Sequence, residues 1–351
     1  MIFLPFHVYC LVWPREKGRE NDVILYKVKK MHKNLLSTLL LSSCLAVGQA
    51  VQPKDVILDT DIVGDIDDTW ALGMLVNSPE LNLKLVSTAT GNPLLRAKCV
   101  AKMLTRLGRT DVPIAIGLYS TVNAVSQRQL GWAADYDLTM YPGPVYFDGV
   151  DAIISALEDS DEPTLITIGP LANIMQVCLR RPDLCAKTHL VSMAGSVYKG
   201  YAHDQANGPV AEWNVKCQVP EAQTVFSANW KSVTITPLDT CGFVRLKGER
   251  YQRMKKSQSP VAKMIVENYR HWLGKPSQTD ETESSVLFDT VAVYLAYTHD
   301  NLKMETVNIE IDDGGVMRLN TPKGKPIQAA VDWVDLDAYE EYLVKRLTTV
   351  R

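Results

Sequence analysis

The chain has no Cys-x-x-Cys pair and no cysteine–histidine spacing of the zinc type, although it holds 7 cysteines and 6 histidines in 351 residues. A thiolate–imidazole zinc site is therefore not expected. Charge of either sign is not in excess, since 37 basic residues against 40 acidic ones give a net charge of -3. That balance offers no footing for a nucleic acid polymer or an anionic membrane surface. The one basic run, 250–256, reads as a solvated helix face. No apolar run reaches the ~20 residues of a spanning helix. Internal repeats and long low-complexity linkers are missing too, so the bulk of the chain, 51–351, is read as one domain.

The first fifty residues differ in character. Residues 1–30 mix aromatics with charges and show no period. From Met31 the pattern becomes Met-His-Lys-Asn, then Leu35-Leu-Ser-Thr-Leu-Leu-Leu41, then small residues as far as Ala50. A basic start, a short apolar core and a small-residue end make a secretory signal peptide. Translation is thus expected to begin at Met31, with a signal peptide over 31–50 and a non-native or disordered extension over 1–30. Export follows, to the periplasm or beyond. Leu41-Ser-Ser-Cys44 also resembles a bacterial lipoprotein signal, which would make a lipid on Cys44 the sole membrane attachment. Cleavage after Ala50 leaves Cys99, Cys178, Cys185, Cys217 and Cys241, an odd set that cannot all pair within one chain. Cys178 and Cys185 flank a helix end and could bridge in an oxidising compartment.

From residue 55 onward, short β-branched runs alternate with amphipathic stretches. Strands are expected over 56–58, 83–88, 114–117, 164–168, 189–193 and 233–237. Helices are expected between them over 68–77, 95–107, 150–157, 171–179 and 221–228. Such alternation implies an α/β fold: an open, mostly parallel Rossmann-like sheet with helices on both faces. Helices over 260–272 and 285–297 follow. A small C-terminal antiparallel appendage is then expected from 305–311, 316–319 and 327–331, with Asp313-Gly-Gly as a turn. A last helix covers about 336–347.

The strongest local feature is Val56-Ile-Leu-Asp-Thr-Asp-Ile-Val-Gly-Asp-Ile-Asp-Asp68. It delivers Asp59, Asp61, Asp65, Asp67 and Asp68 within ten positions, just before a helical pattern begins at Trp70. Carboxylates packed this closely repel unless a cation neutralises them. Helix capping accounts for Asp67 and Asp68 but leaves Asp59 and Asp61 without work. A hard, oxygen-liganded metal accounts for all of them. In open α/β sheets ligands bind beyond the carboxyl ends of the strands. The polar residues there form one set: Asp59 and Asp61, Gly91-Asn92, Gly169-Pro-Leu-Ala-Asn173, Ala194-Gly-Ser196 and Asp239.

Taken together, these residues resemble the nucleoside hydrolases of the inosine–uridine-preferring type. The opening Leu-Asp-Thr-Asp…Asp-Asp is similar to that family's Asp-x-Asp-Pro-Gly-x-Asp-Asp signature. Further matches come in order: Ser87-Thr-Ala-Thr-Gly-Asn92, Ile168-Gly-Pro-Leu-Ala-Asn173, Val191-Ser-Met-Ala-Gly195, Ala211-Glu-Trp-Asn214 with Pro220-Glu-Ala222, Pro237-Leu-Asp-Thr240, and Phe288-Asp289. The resemblance spans about 55–345 and makes 51–351 a hydrolase-like catalytic domain. It implies a bound Ca²⁺ held by Asp61, Asp68, Asp289 and the carbonyl of Ile168, with Asp65 as a further candidate. It implies Asp61 as the base that activates water, and Asp67 as its catalytic companion on a ribose hydroxyl. Asn92, Met193, Glu212, Asn214 and Asp289 would also contact the sugar. The implied reaction is hydrolysis of a nucleoside's N-glycosidic bond. Its oxocarbenium-like transition state suits an anionic pocket, and a metal orients water and diol. A nucleoside is then the small-molecule partner, and a homo-oligomer, dimer or tetramer, is a further expectation.

Three departures stand out. The loop between Asp61 and Asp67-Asp68 is two residues longer than the signature. Phe288 occupies the place of a leaving-group histidine. Asn207 sits five residues before Glu212 where six is usual. Trp132, Tyr136, Tyr141, Tyr269, Trp272 and His271 are candidates for the pocket rim, His271 as an acid. Two other readings compete. One is an exported binding protein that keeps the calcium site without turnover. The other is a haloacid-dehalogenase-like phosphatase, which would need a downstream lysine at the site.

Overall fold

The computed structural model describes residues 52–121, 128–201 and 208–350. The signal peptide, the extension before it, Cys44 and Asn207 lie outside them. Ten strands form one sheet: β1 (Lys54–Thr60), β2 (Leu81–Thr88), β3 (Ile114–Ile116), β4 (Val145–Tyr146), β5 (Thr164–Thr167), β6 (His189–Met193), β7 (Ser232–Thr236), β8 (Leu302–Ile311), β9 (Met317–Leu319) and β10 (Lys325–Trp333). Their order across the sheet is β4-β3-β2-β1-β5-β6-β7-β10-β8-β9. Every pair from β4 to β10 runs parallel. The chain winds outward from β1 in one direction through β2 and β3, then returns to β5 and winds the other way. The β1/β5 seam is therefore the switch point, where two crossovers diverge and leave a crevice beyond the strand ends.

Helices cover both faces. On one side lie α1 (Asp67–Val76) and α2 (Pro93–Arg106). α8 (Leu238–Cys241), α9 (Gly248–Lys256), α10 (Pro260–Trp272), α11 (Thr290–Leu295) and α12 (Leu336–Thr348) share that face. On the other lie α3 (Gly149–Glu158), α4 (Ala172–Arg180), α5 (Pro182–Cys185), α6 (Trp213–Lys216) and α7 (Val219–Ser227). Alternation along β1 sorts its side chains accordingly: Val56 and Leu58 enter the first core, Ile57 the second. A strand buried on both faces reads as an unbroken apolar run, as here. Helix α1 is buried from Asp67 to Leu75, because α10 and α11 lie over it. No helix among the described residues is long and apolar enough to cross a membrane.

The fold class agrees with the sequence reading, the antiparallel C-terminal strands included, with one local correction. Those strands join the main sheet: β10 pairs in parallel with β7 at Gln328–Thr234 and Ala329–Ile235. The antiparallel β8 and β9 then extend the same sheet. The helix expected over 285–297 begins only at Thr290. Upstream, Ser284 N–H donates to Leu246 O and Leu287 N–H to Val244 O, at 3.0 and 2.9 Å. Those backbone groups are spent on a neighbouring segment, so they cannot join a helix. The basic run at 250–256 does fall on a helix, α9. Cys178 and Cys185 are free thiols whose sulfurs stand 3.5 Å apart in the second core.

Candidate active site

Beyond the β1/β5 seam opens a cavity of about 380 Å³. Its floor is acidic. Asp61, Asp65, Asp67 and Asp68 come from the β1–α1 loop and the first turn of α1, Glu212 precedes α6, and Asp289 precedes α11. Carboxylate oxygens of Asp67, Asp68 and Asp289 all lie within 4.8 Å of one another, and all three residues are buried. Burial, then the charges of the neighbouring aspartates, hold these three carboxyls well above the usual range. Burial also raises Asp61, against the pull of the Arg96 guanidinium. For Asp65 burial again dominates, with its bond to the Ile66 N–H opposing it. Ions of one sign gathered out of water cost several kcal/mol each unless compensated. Oxygen donors alone, arranged in a buried acidic trio with Asp61 and the Ile168 carbonyl in the same wall, fit a hard divalent ion.

The strand ends hold this floor rigidly. Thr60 Oγ1 donates to Asp68 Oδ1 and also accepts the Ile62 N–H at 3.1 Å. Gly169, just after β5, presses on Asp61: a Cβ there would stand 2.8 Å from its N and 2.9 Å from its Cβ. Only glycine allows that approach. Glu212 accepts N–H groups from Gly195 and Asn214 at 3.0 and 2.9 Å, and burial pushes its carboxyl up to about 7. Asn214 Nδ2 donates to Met193 O and Ile168 O at 3.2 and 3.4 Å, which fixes the wall where Met193 faces the cavity. Asp239 lies behind and accepts the N–H groups of Val197, Tyr198 and Lys199. Asp59 points to the opposite face, where Ser87 Oγ and Asn173 Nδ2 donate to its Oδ1 at 2.5 and 2.9 Å. Burial raises its carboxyl to about 7.

Of the residues singled out in the sequence, Asp61, Asp65, Asp67, Asp68, Ile168, Met193, Glu212, Asn214 and Asp289 line this one cavity. Asn92 does not. Its Oδ1 caps α2 by accepting the Leu95 N–H at 3.3 Å, and Arg96, one turn further on, reaches the wall instead. Among the rim candidates only Trp272 lines the cavity, its indole N–H donating to Gly64 O at 3.3 Å. Tyr269 stacks on Trp272 at 5.8 Å. His271 is not in the wall, and Trp132, Tyr136 and Tyr141 are buried, bonded to Glu267, Thr105 and Val112. Among the described residues Tyr201, Trp213, Phe288 and Arg128 also line the mouth. Among the described residues no lysine lines the cavity, so an aspartyl-phosphate mechanism finds no support.

The comparisons with known proteins agree with this geometry. Pyrimidine-specific ribonucleoside hydrolases are similar in sequence. The one from Enterobacter sp. (strain 638) is 29% identical over 222 residues, 60% of this chain and 68% of that protein. The one from Photobacterium profundum is 28% identical over 224 residues, 61% of this chain and 70% of the relative. A plant nucleoside hydrolase superposes with a TM-score of 0.72 at 20% identity, covering 85% of this chain and 99% of its own. The inosine-uridine preferring enzyme from Bacillus anthracis gives 0.68 at 19%, covering 85% and 100%. These two likenesses establish the fold. The profile of the inosine-uridine preferring nucleoside hydrolases matches residues 56–341, and the chain belongs to that family of N-glycosyl hydrolases.

Proposed function

We propose that the chain hydrolyses ribonucleosides to base and ribose with a Ca²⁺ ion held by Asp61, Asp68, Asp289 and the Ile168 carbonyl. The observation that carries this reading is the buried acidic trio that shares one cavity with Asp61 at the sheet's switch point. The bound ion would orient water and sugar diol and lower the water's pKa towards that of a carboxylate. Asp61, against which Gly169 packs closely, would act as the general base that takes a proton from the attacking water. Asp67 and Asp289 accept hydroxyls of the sugar, and their charge stabilises the positive ring of the transition state. Asn214 and Glu212 shape the opposite wall around Met193. On the leaving-group side Trp213, Trp272 and Phe288 offer faces for a base. Tyr201 lines the same mouth, and its hydroxyl, which accepts the Trp213 N–H at 2.9 Å, keeps its own hydrogen free to donate to the departing base. The signal-like 31–50 segment supports export, lipid-anchored if Cys44 is the modified residue.

Release of reducing sugar from a panel of nucleosides, with and without Ca²⁺, tests the proposal. Uridine and cytidine head the panel, because the sequence relatives are pyrimidine-specific by name. Ion-dependent ribose release from at least one member is the expected result. Binding without turnover across the whole panel would favour a non-catalytic nucleoside-binding protein.

A further inference from the structure

The lengthened loop after β1 contains a feature that the proposed reaction does not explain. Val63 adopts φ +93°, and Thr90, in the facing loop after β2, adopts φ +63°. A β-branched residue in this region is strained by about 1–3 kcal/mol and persists only where its surroundings hold it. One side chain grips both loops. Arg96 Nη1 donates to Ile62 O at 2.5 Å, directly before Val63, and its Nε donates to Thr90 O at 2.8 Å. Its remaining nitrogen, Nη2, faces the cavity 4.0 Å from Asp61 Oδ2. Arg96 is only 6% exposed, and the other arginine of the wall, Arg128, is exposed.

We infer that Arg96 is a positioning residue: a built-in cation whose planar fork clamps the two strained loops and sets the place of the Asp61 carboxylate. Helical spacing explains its reach. Asn92 caps α2 from the strand end, and a residue four positions later projects from the same helix face. The fork explains the residue type. Two backbone carbonyls and one carboxylate lie around a single guanidinium, which a lysine's point charge cannot match in direction. Among the described residues six carboxylates line the cavity, and Arg96 sets one fixed positive charge against them.

The inference rests on the proposed hydrolysis for its kinetic arm only. Arg96→Ala and Arg96→Lys are compared with the unaltered protein in ribose release and in amide hydrogen exchange. For Arg96→Ala, kcat should fall about 100-fold while KM stays within about threefold, the cost of misplacing a reacting group by roughly 1 Å. Added methylguanidinium should restore at least about tenfold of that loss, whereas Arg96→Lys should remain about tenfold or more below the unaltered protein. Without added ion, exchange in Arg96→Ala should quicken over 61–66 and 89–91 and be unchanged in β5 and β6. Full activity in Arg96→Lys would overturn the inference, because charge alone would then suffice. So would an Arg96→Ala loss that methylguanidinium leaves unrestored, or faster exchange throughout the sheet. If the unaltered protein cleaves no nucleoside, the proposed function fails and the exchange pattern still decides: quickening confined to the two loops supports the clamp, and none overturns it.

Discussion

The floor and the mouth of the cavity are built by different means. Floor residues Asp67, Asp68, Glu212 and Asp289 are all buried, and each lies in the first turn of a helix or directly before one, which fixes its backbone. Mouth residues Tyr201 and Trp213 are 44% and 46% exposed, and Arg128 is exposed as well. The floor gathers charge, which is costly out of water and tolerable only at fixed positions. The mouth gathers aromatic surface, which is non-directional and tolerates change. In the proposed reaction the chemistry falls to the floor, and the choice of base to the more exposed mouth. That division makes opposite demands on mutations at the two ends.

The largest effect is expected at the floor. Asp61→Asn removes the proposed base and leaves a side chain of the same shape, so kcat should drop by about 10²–10⁴ with a small change in melting temperature. Near-normal turnover would break the comparison at its strongest point. Gly169→Ala should come next. Its added Cβ would overlap the backbone and side chain of Asp61, so both stability and kcat suffer. Overpacking of this kind costs about 1–3 kcal/mol. A melting temperature and kcat equal to those of the unaltered protein would show that Asp61 has room to move.

The same contrast explains what could be read in advance. The floor was legible because strand ends announce themselves: a β-branched run stops, carboxylates follow, and the switch-point rule collects them. Asp61 and Asp68 are found in this way, whereas Ile168, Glu212 and Asp289 came only with the family resemblance; all five share one cavity. Asn92 misled because the same side chain that could touch a sugar is also a good helix cap, and capping is what it does here. Arg96 was missed although the i+4 spacing from that cap was present in the sequence. The mouth was legible only in part. Trp272 and Phe288 are singled out in the sequence, but with Tyr201 and Trp213 they come from four separate segments, and no local pattern states that they meet. The shortened α11 was hidden for a similar reason, since its first turn is replaced by long-range bonds from 284–287 to 244–246.

At the mouth a milder effect is expected. Trp213→Ala should raise KM with little change in kcat, because stacking on a base contributes about 1–3 kcal/mol to binding in comparable sites. The rise should differ between uridine and inosine, whose ring faces differ in area. A fall in kcat as large as that of Asp61→Asn would erase the distinction between the two regions.

The last effect touches stability alone and separates the regions by pH. In the ion-free protein the carboxyls of Glu212 and Asp59 are raised to about 7, chiefly by burial, and those of Asp67, Asp68 and Asp289 are raised too. For Glu212 and Asp59 the folded state then binds more protons than the unfolded chain between about pH 4 and 7, so stability falls as pH rises through this window, and the other three add to the fall. With chelator present, the melting temperature should be higher at pH 5 than at pH 7.5. Added Ca²⁺ should reverse the trend, because it binds the deprotonated carboxylates and stabilises most where protons compete least. Glu212→Gln should flatten the ion-free slope, and Trp213→Ala should leave it as it was. A melting temperature that climbs from pH 5 to 7.5 under chelation would mean that the buried acids of the floor are already ionised, and compensated by something other than a bound cation.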